Sequence, residues 1–548
     1  MNVRGSTTTP RGTRLAAIGL VVATATAMLV GSVSPALAAG TPTASAKSPK
    51  PGGEITYGLE AETAGGWCPT SARLAISGIM VENAIYDTLT TPNTKGEIVP
   101  YLAKSVEPNA DNTVWTITLR DGVKFHDGTP VDAAAVAANI AAYKENLLVG
   151  AGLKNIASVT VDSPTQLTVT TGTAWPEFPW FLYLDGRMGI AAPAQLANPD
   201  TCPTNLIGSG PFKLAGERVV NQPLVTAKNP DYWQKDAKGT QLPYLDKLTF
   251  VPVREATQRV SSLQGGQLDV IHTSDGQQVD QLNQLKSQFN LMVEKPGRRE
   301  VRYYLMNAQK PPLDDLDARK AVAMAIDLNQ VNELRNNGVY TVAHGPFDTS
   351  VMGYLKNPGF PKYNPKESKK LVDAYKAAHD GQFSVVLEHT DDPANSAEAQ
   401  LLKEQLAKVG IDSTLKGEDQ TAFILSAVSG NFSIMLWRNH PGDDPDANYQ
   451  WWENGSLLNF NHFVDADMQA LLDQGRASTD PAERKKIYQD VNKLFSEKLY
   501  NVWAYYSAWT IAAQKNVQGL AGPPLPDGEG QPLFIYGRHP LLGIYLSQ

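Results

Sequence analysis

Residues 115–130 read WTITLRDGVKFHDGTP, and this stretch does more than any other to decide the fold. From Trp115 to Leu119, large apolar side chains alternate with threonines, which is the period-two pattern of a strand with one buried face. The dipeptide Asp121-Gly122 that follows is typical of a turn. Pro130 then predicts the start of a helix, because proline suits the first helical position. The stretch therefore combines a half-buried strand, a turn and a helix.

Strand and helix signals alternate along the rest of the chain. Residues 55–59 and 165–171 repeat the alternating strand pattern. Apolar side chains in residues 136–147 recur at spacings of three and four, which predicts one face of a helix. Asp480, followed by Pro481, predicts another helix start, since aspartate caps the first turn. This mixture indicates an α/β protein with several lobes.

Composition narrows the class of protein. The chain has 548 residues, which at ~150 residues per domain suggests about three to four domain-sized units. Hydrophobic residues make up 42% and the formal charge is −8, so the composition favours neither a disordered chain nor a nucleic-acid binder with a basic stripe. The only cysteines, Cys68 and Cys202, are too few for a four-cysteine zinc site.

The N-terminus carries a three-part export signal. Arginines in residues 1–14 precede an apolar run over residues 15–33, and residues 35–38, PALA, form a small-residue cleavage signal. We therefore predict a signal peptide over residues 1–38 and, from its Ala, Thr, Ser and Pro content, a flexible spacer over residues 39–52. The alternative is an uncleaved anchor, because the apolar run approaches the ~20 residues that span a bilayer.

Export sets the surroundings of the two cysteines. Disulfides persist in oxidising compartments, so Cys68 and Cys202 are a candidate disulfide, and two free buried thiols are the alternative. No cysteine stands near the cleavage signal, so the sequence shows no site for lipid attachment. We expect the mature chain at the cell surface or in the periplasm, either held by an uncleaved anchor or freely secreted.

The motifs of common catalytic sites are absent from the sequence. It contains no Gly-x-Ser-x-Gly, no His-Glu-x-x-His and no Gly-x-x-x-x-Gly-Lys-Ser/Thr. Residues 208–210, GSG, lack the lysine of a phosphate loop, and Pro211 removes an amide, so we interpret them as a tight backbone crossing. His126 lies in a predicted turn and is interpreted as structural. No cofactor, metal or catalytic residue is therefore expected.

Several segments, in chain order, resemble the extracellular solute-binding proteins of ABC importers, family 5, whose members bind dipeptides, oligopeptides or nickel. The most specific are residues 115–130 and the segment NAIYDTL at residues 83–89. The resemblance covers nearly the whole mature chain. Further matches lie at residues 98–103, 208–212, 229–233, 265–270, 317–327, 363–365, 401–411 and 480–488.

The resemblance implies a two-lobed α/β fold of the periplasmic-binding-protein type, of type II, with an extra inserted domain. The first lobe is expected to be discontinuous in sequence and the second to be continuous. The expected segments are residues 53–90, 191–300 and 515–548 for the first lobe, residues 91–190 for the inserted domain and residues 301–514 for the second lobe.

The resemblance also implies a receptor. A peptide or peptide-like solute is enclosed between the lobes and delivered to a membrane permease that works with an ATPase. We expect a monomer that binds no nucleic acid. Two alternatives stay open: the same role for a non-peptide solute, such as a metal chelate or an oligosaccharide, and, from a different class of protein, a secreted hydrolase.

The ligand pocket departs from that of the peptide-binding members. In those members an aspartate three residues after a tryptophan meets the α-amino group of the ligand. Here His440 stands three residues after Trp437, in a loop that is one residue longer. Asp443 or Asp444 is a candidate to replace the missing carboxylate. Arg438 is a candidate to bind a carboxylate or phosphate in a bidentate manner.

Further ligand-binding candidates lie in the same loop and near the first strand. Asn439 belongs to the loop. Trp437 and Trp451 are candidates to stack on the solute, with core packing as the competing interpretation. Glu60 and Trp67 follow the first strand, where the resemblance implies a loop that faces the cleft. The alternative for Glu60 is a solvated loop, and the alternative for Trp67 is packing against Cys68.

Overall fold

The structure is a computed structural model that describes residues 49–63, 65–439, 442 and 444–547. The predicted signal peptide and most of the predicted spacer lie outside these residues. Within the described residues, no helix is both long and apolar enough to cross a membrane.

Seven strands of the described residues form the first sheet, which draws on three separate parts of the chain. Its central strand, Glu54–Leu59, buries most of its side chains and runs parallel to both neighbours. Helix Ile76–Ile85 packs into the core beneath it. We call this sheet, with the helices packed on it, the first lobe. The strands lie in the order Phe289–Val293, Thr510–Gln514, Val270–Thr273, Glu54–Leu59, Lys247–Pro252, Leu224–Lys228 and Phe212–Leu214.

Six strands of the described residues form the second sheet. Its strands Glu300–Met306 and Asn501–Ser507 are buried along their whole length, because apolar clusters cover both faces of the sheet. We call this sheet and its helices the second lobe. The strands lie in the order Thr341–Val342, Asn501–Ser507, Glu300–Met306, Ile434–Asn439, Ser384–Thr390 and Asp412–Glu418.

The third sheet lies in sequence between two parts of the first. Its strand Val114–Leu119 buries every second side chain, so the alternation in the sequence is confirmed. One face packs against helix Ala133–Lys144 and a group of buried aromatic side chains. We call this part of the structure the insert. The strands lie in the order Ala103–Pro108, Val114–Leu119, Gln166–Thr171 and Ile156–Ser163.

Two helix starts were expected from proline, and the structure confirms one. The helix Pro481–Lys498 begins after Asp480, whose carboxylate accepts the backbone N–H of Ala482 at 2.8 Å. The helix expected at Pro130 instead begins at Ala133. Pro130 pairs with the preceding strand segment, and Asp132 takes the capping position. The carboxylate of Asp132 accepts an N–H of the first turn, which satisfies a donor that proline alone leaves open.

The remaining elements cover the sheets or connect their strands. The other α-helices of eight or more residues are Ala256–Gln264, Gly276–Gln284, Leu316–Ala325, Leu328–Asn336, Pro365–Ala378, Pro393–Lys408, Gln420–Ser429 and Ala466–Ala477. Shorter helical segments are Gly150–Leu153, Phe178–Phe181, Leu184–Gly186, Pro193–Leu196, Pro445–Asn448, Tyr449–Trp452 and Pro526–Gly528. Short strand pairs join Thr90–Pro92 to Ile98–Pro100 and Val517–Gln518 to Tyr545–Leu546.

The chain crosses between the two large sheets at two adjacent places. It leaves the first sheet after Val293, enters the second at Glu300, and returns between Ser507 and Thr510. The backbone N–H of Glu294 donates to the carbonyl of Trp509 at 2.8 Å, which ties the two crossings together. Paired crossings of this kind are where one lobe can turn against the other.

The return crossing corrects one expected boundary. Residues 510–514 were expected in the second lobe, but strand Thr510–Gln514 pairs with Val270–Thr273 and Phe289–Val293 in the first sheet. The reason is that its buried backbone groups find their hydrogen-bond partners on those two strands. The first lobe therefore regains the chain before residue 515.

Cys68 and Cys202 form a disulfide in the structure. It joins the segment after the first strand to a turn 134 residues later. Both cysteines are buried, and the backbone carbonyl of Cys202 accepts the side-chain amide of Gln195 at 3.0 Å. The bond closes a long loop within the first lobe.

We expect the exported protein to show no free thiol when it is denatured and alkylated without reductant. The Cys202→Ser variant should lose about 2–4 kcal/mol of free energy of unfolding, because the unfolded chain regains loop entropy. Intact mass spectrometry and urea denaturation check the two expectations. Two added alkyl groups on the unreduced protein would contradict the bond.

Candidate functional site

Arg438 reaches from the second sheet to the first. It is the penultimate residue of strand Ile434–Asn439. Its Nη1 atom donates to Oγ of Ser274 at 3.0 Å, and its Nη2 atom donates to Oε1 of Glu60. Ser274 and Glu60 each directly follow a strand of the first sheet, and those two strands run parallel side by side. One side chain of the second lobe therefore bridges two neighbouring strand ends of the first.

This meeting point has the geometry of a ligand site in an α/β protein. Strand Ile434–Asn439 also has a parallel neighbour, Ser384–Thr390. Carboxyl ends of parallel strands thus face one another from both sheets, and ligands of open α/β sheets bind outside such ends. The side chain of Arg438 keeps 33% of its surface exposed although it touches both lobes. Arg438 therefore stays partly accessible to solvent where the two lobes meet, a place we call the cleft.

Carboxylates and an aromatic ring stabilise the positive charge of Arg438. Glu300 Oε1 lies 3.7 Å from its Nη1 atom, and the ring of Trp509 lies 5.2 Å from its Cζ atom. Burial works against the charged form, but the carboxylates of Glu60 and Glu300 outweigh it and raise the pKa of Arg438 above its usual value. The cleft therefore contains a permanent cation between two acidic side chains.

A neutral histidine fixes the backbone that carries Glu60. The N–H of Glu60 donates to Nε2 of His272 at 2.9 Å, so the proton of this imidazole is on Nδ1. Burial, with the nearby charges of Arg259 and Arg438, lowers the pKa of His272 well below its usual value. His272 consequently stays neutral and keeps accepting this bond at physiological pH.

Trp437 lies on the opposite face of its strand from Arg438, because successive side chains of a strand alternate. It stacks on Phe423 with ring centroids 5.1 Å apart and meets the edge of Phe460 at 5.0 Å. Trp451 also contacts Phe460, at 5.6 Å. The two tryptophans thus share one aromatic cluster of the second lobe, in which both are half-buried.

The other expected ligand residues lie apart from the Arg438 contact. Trp67 is only 4% exposed in the core of the first lobe, and its ring N–H donates to the carbonyl of Gly78 at 3.1 Å. This packing beside the disulfide replaces the expected cleft position. Asn439 is buried and donates to Asn448 at 3.4 Å. His440 and Asp443 lie outside the described residues.

Three of the side chains around Arg438 were not predicted from the sequence, and one of them is Glu300, the first residue of strand Glu300–Met306. Ser274 is the first residue after strand Val270–Thr273, and Trp509 lies in the return crossing. Ser274 could have been predicted as a site residue from its position at a strand end, but only if the parallel pairing of Val270–Thr273 with Glu54–Leu59 had been known. Trp509 has no local signal, since it is one of many aromatic residues in a buried strand region.

In the described residues, no group of three or more His, Cys, Asp or Glu side chains is arranged to hold a metal ion. The site is instead built from one cation, two carboxylates, a hydroxyl group and an indole ring. Such a set recognises charged and hydrogen-bonding groups of an organic solute.

Comparison with known proteins gives a consistent result. A family model for bacterial extracellular solute-binding proteins, family 5 Middle, matches residues 97–458. The nickel-binding periplasmic protein of Escherichia coli (strain K12) is 26% identical over an alignment of 459 residues that covers 79% of this chain and 86% of that protein. The periplasmic murein peptide-binding protein MppA of the same organism is 28% identical over 528 residues, covering 87% of this chain and 92% of that one.

The fold comparison extends over nearly the whole structure. The oligopeptide-binding protein AppA from Bacillus subtilis, solved with a nonapeptide, superposes with a TM-score of 0.77 at 19% sequence identity. The match covers 91% of this chain and 100% of AppA. Both lobes and the insert therefore belong to an arrangement that other proteins share.

We expect Trp437→Ala to lower the free energy of unfolding by about 2–4 kcal/mol, because it removes two aromatic contacts from a packed cluster. Urea denaturation measures the loss. Trp437→Phe, which keeps a ring in the stack, should lose less than half as much. Unchanged stability of the alanine variant, with loss of solute binding, would instead place this ring against the solute.

Proposed function

Because this chain belongs to the bacterial extracellular solute-binding proteins of family 5, we propose that it encloses a peptide or peptide-like solute between its two lobes and delivers it to an ABC importer. The observation that carries the proposal is the contact of Arg438 with Glu60 and Ser274 across the cleft. In this contact, residues at the strand ends of both sheets meet around a charged group that is partly exposed to solvent.

Capture follows from the two crossings between the sheets. A solute shifts the balance between open and closed lobes only by its stronger binding to the closed form. Closing removes water from the cleft, which strengthens each charged contact inside. The permease then has a distinct closed shape to recognise. In this proposal the first lobe consists of residues 53–90, 191–293 and 510–548, with the insert at residues 91–190 and the second lobe between the crossings.

The charges at the cleft favour a zwitterionic solute. A guanidinium binds a carboxylate in a bidentate manner, so Arg438 is the proposed partner of the solute carboxylate. Glu60 is the proposed partner of an ammonium group. A short peptide with free ends carries both charges, and its two ends exchange with the Glu60–Arg438 contact without leaving either side chain uncompensated. The murein peptide-binding relative has a solute of this class in its name.

A metal chelate is the second candidate solute. His440 stands where the peptide-binding members have an aspartate, and this substitution removes one expected partner of an ammonium group. The described residues offer no metal cluster of their own, so an ion would enter with organic ligands whose carboxylates meet Arg438. A nickel-binding relative supports keeping this candidate.

The location and partners follow from the same proposal. The signal peptide directs the chain across the cytoplasmic membrane, where it acts as a monomer at the cell surface or in the periplasm. Its partners are the permease subunits and their ATPase. It performs no chemistry on the solute, and the purified protein is expected to leave peptide and glycoside substrates unchanged. Turnover of either substrate would favour the secreted hydrolase instead.

Native mass spectrometry of the protein as purified should show a bound solute whose mass is smaller than that of a large oligopeptide.

Calorimetric titration with a panel of dipeptides then tests whether the charged ends of the solute are recognised. We expect a free dipeptide to bind at least tenfold more tightly than the same dipeptide with an amidated C-terminus, which lacks the charge for Arg438. Equal affinities would contradict the assignment of Arg438. If only metal chelates bind tightly, the proposed solute is a metal chelate and not a peptide.

We expect Arg438→Ala to weaken binding of that dipeptide by about 2 kcal/mol or more, because the solute carboxylate loses its guanidinium partner. Arg254→Ala is the matched control. Arg254 also reaches the other lobe, through Asp391, but both side chains are about half exposed, and such pairs contribute little. Equal losses of binding free energy in the two variants would contradict the role of Arg438, because any contact between the lobes would then have the same effect on binding.

A further inference from the structure

A second charged contact joins the insert to the second lobe, away from Arg438. It contains three carboxylates, those of Glu177, Asp444 and Asp446, which we call the carboxylate cluster. Two guanidinium groups, from Arg476 and Arg484, face it. Glu177 belongs to the insert and the other four side chains to the second lobe. The cluster therefore lies on the surface where the second lobe meets the insert.

Arg484 is shared between the two sides of this surface. Its Nη1 atom donates to Glu177 Oε1 at 2.8 Å and to Asp444 Oδ2 at 2.9 Å, and its Nη2 atom donates to Asp444 Oδ1 at 2.6 Å. Its side chain is 5% exposed. The guanidinium is thus already paired in a bidentate manner with Asp444, and Glu177 receives only one bond from it.

Arg476 and Asp446 form the neighbouring pair. Arg476 Nε donates to Asp446 Oδ1 at 2.9 Å, and its guanidinium lies over the rings of Tyr449 and Trp175. The ring N–H of Trp175, a fully buried residue of the insert, donates to Asp446 Oδ2 at 2.9 Å. The second lobe thus packs against the insert beside Glu177 through the buried side chains of Asp446 and Trp175.

The charges on this surface do not balance. Asp446 and Asp444 compensate the two guanidinium groups, which leaves Glu177 as a third carboxylate that only shares Arg484 and keeps 30% of its side-chain surface exposed. Burial and then the charge of Asp444 raise the pKa of Glu177 to about 8, against an ordinary value of ~4.3. Among the described residues, the other titratable or charged side chains near the cluster are Lys154, Tyr449, Glu453, Asp473 and Tyr488.

We propose that closing the second lobe onto the insert takes up one proton at the carboxylate cluster, on Glu177, so that acid favours the closed form. The proposal rests on the receptor function only in requiring lobes that open and close. When the lobes separate, Glu177 returns to water and gives its proton back. Closure is therefore most favoured below the ordinary pKa of a glutamate and weakens as the pH rises towards 8.

The closed fraction can be measured without any solute. Fluorescent labels at Val161→Cys on the insert and Lys485→Cys on the second lobe report the distance between the two parts, since both positions are exposed. The native cysteines are bonded to each other and stay unlabelled. At constant ionic strength, we expect the ratio of closed to open protein to fall at least tenfold between pH 5 and pH 8. A constant ratio overturns the proposal.

Two variants assign the proton. Glu177→Gln keeps the size of the side chain and removes its titration. The ratio of closed to open protein in this variant should therefore change less than threefold between pH 5 and pH 8. The substitution leaves the buried Glu294 of the crossings in place, and a full pH response in this variant would overturn the assignment. Glu453→Gln is the matched control, because Glu453 lies at the same surface but has its own partner in Lys154 at 2.8 Å. This control should keep the full response.

The outcome is independent of the solute. Failure of every dipeptide to bind would overturn the proposed solute and leave the closing measurement intact. A missing pH response would overturn proton uptake and leave peptide binding intact. If Glu177→Gln does not fold, the pH series of the unmodified labelled protein still decides whether closure takes up a proton.

Discussion

The bridge from Arg438 to Glu60 is the interaction on which the placement of the two lobes depends. A guanidinium that has lost part of its water is stabilised where carboxylates replace the lost contacts. Glu60 supplies one from the first lobe, Glu300 supplies another from the start of the second sheet, and Trp509 covers the face of the group. These partners come from both sheets and from the crossing between them. One relative placement of the lobes therefore gives the guanidinium of Arg438 all of these partners at once.

The crossings make that placement adjustable without disturbing either sheet. Each lobe has its own buried core, and the chain joins them only through two neighbouring segments tied by Glu294 and Trp509. Rotation at these segments leaves the sheet hydrogen bonds unchanged. Its effect is concentrated at two charged surfaces: the cleft at Arg438, and the contact of the insert with the second lobe at Arg484. In the two proposals made above, the solute acts on the first surface and protons act on the second.

Local patterns in the sequence were sufficient for elements whose stability is local. The alternation at Val114–Leu119 and the cap at Asp480 were confirmed, because period and capping depend on near neighbours. The start expected at Pro130 was wrong, since a better cap lies two residues later. Thr510–Gln514 was assigned to the wrong lobe because its partners are about 220 residues or more away in the chain. For Trp67 the sequence left a cleft position and packing against Cys68 open, and in the structure its ring N–H has a partner in the core.

The sequence by itself determined the α/β class, the family and the candidacy of Glu60 and Arg438, because residue type, period and motif order are written along the chain. Only the tertiary structure decided that these two side chains meet. They are 378 residues apart, and the contact exists because parallel strands of two sheets end at one cleft. The same holds for Glu177 and Arg484, which are 307 residues apart. Charge compensation in a buried place depends on distance in space, and no local pattern encodes that distance.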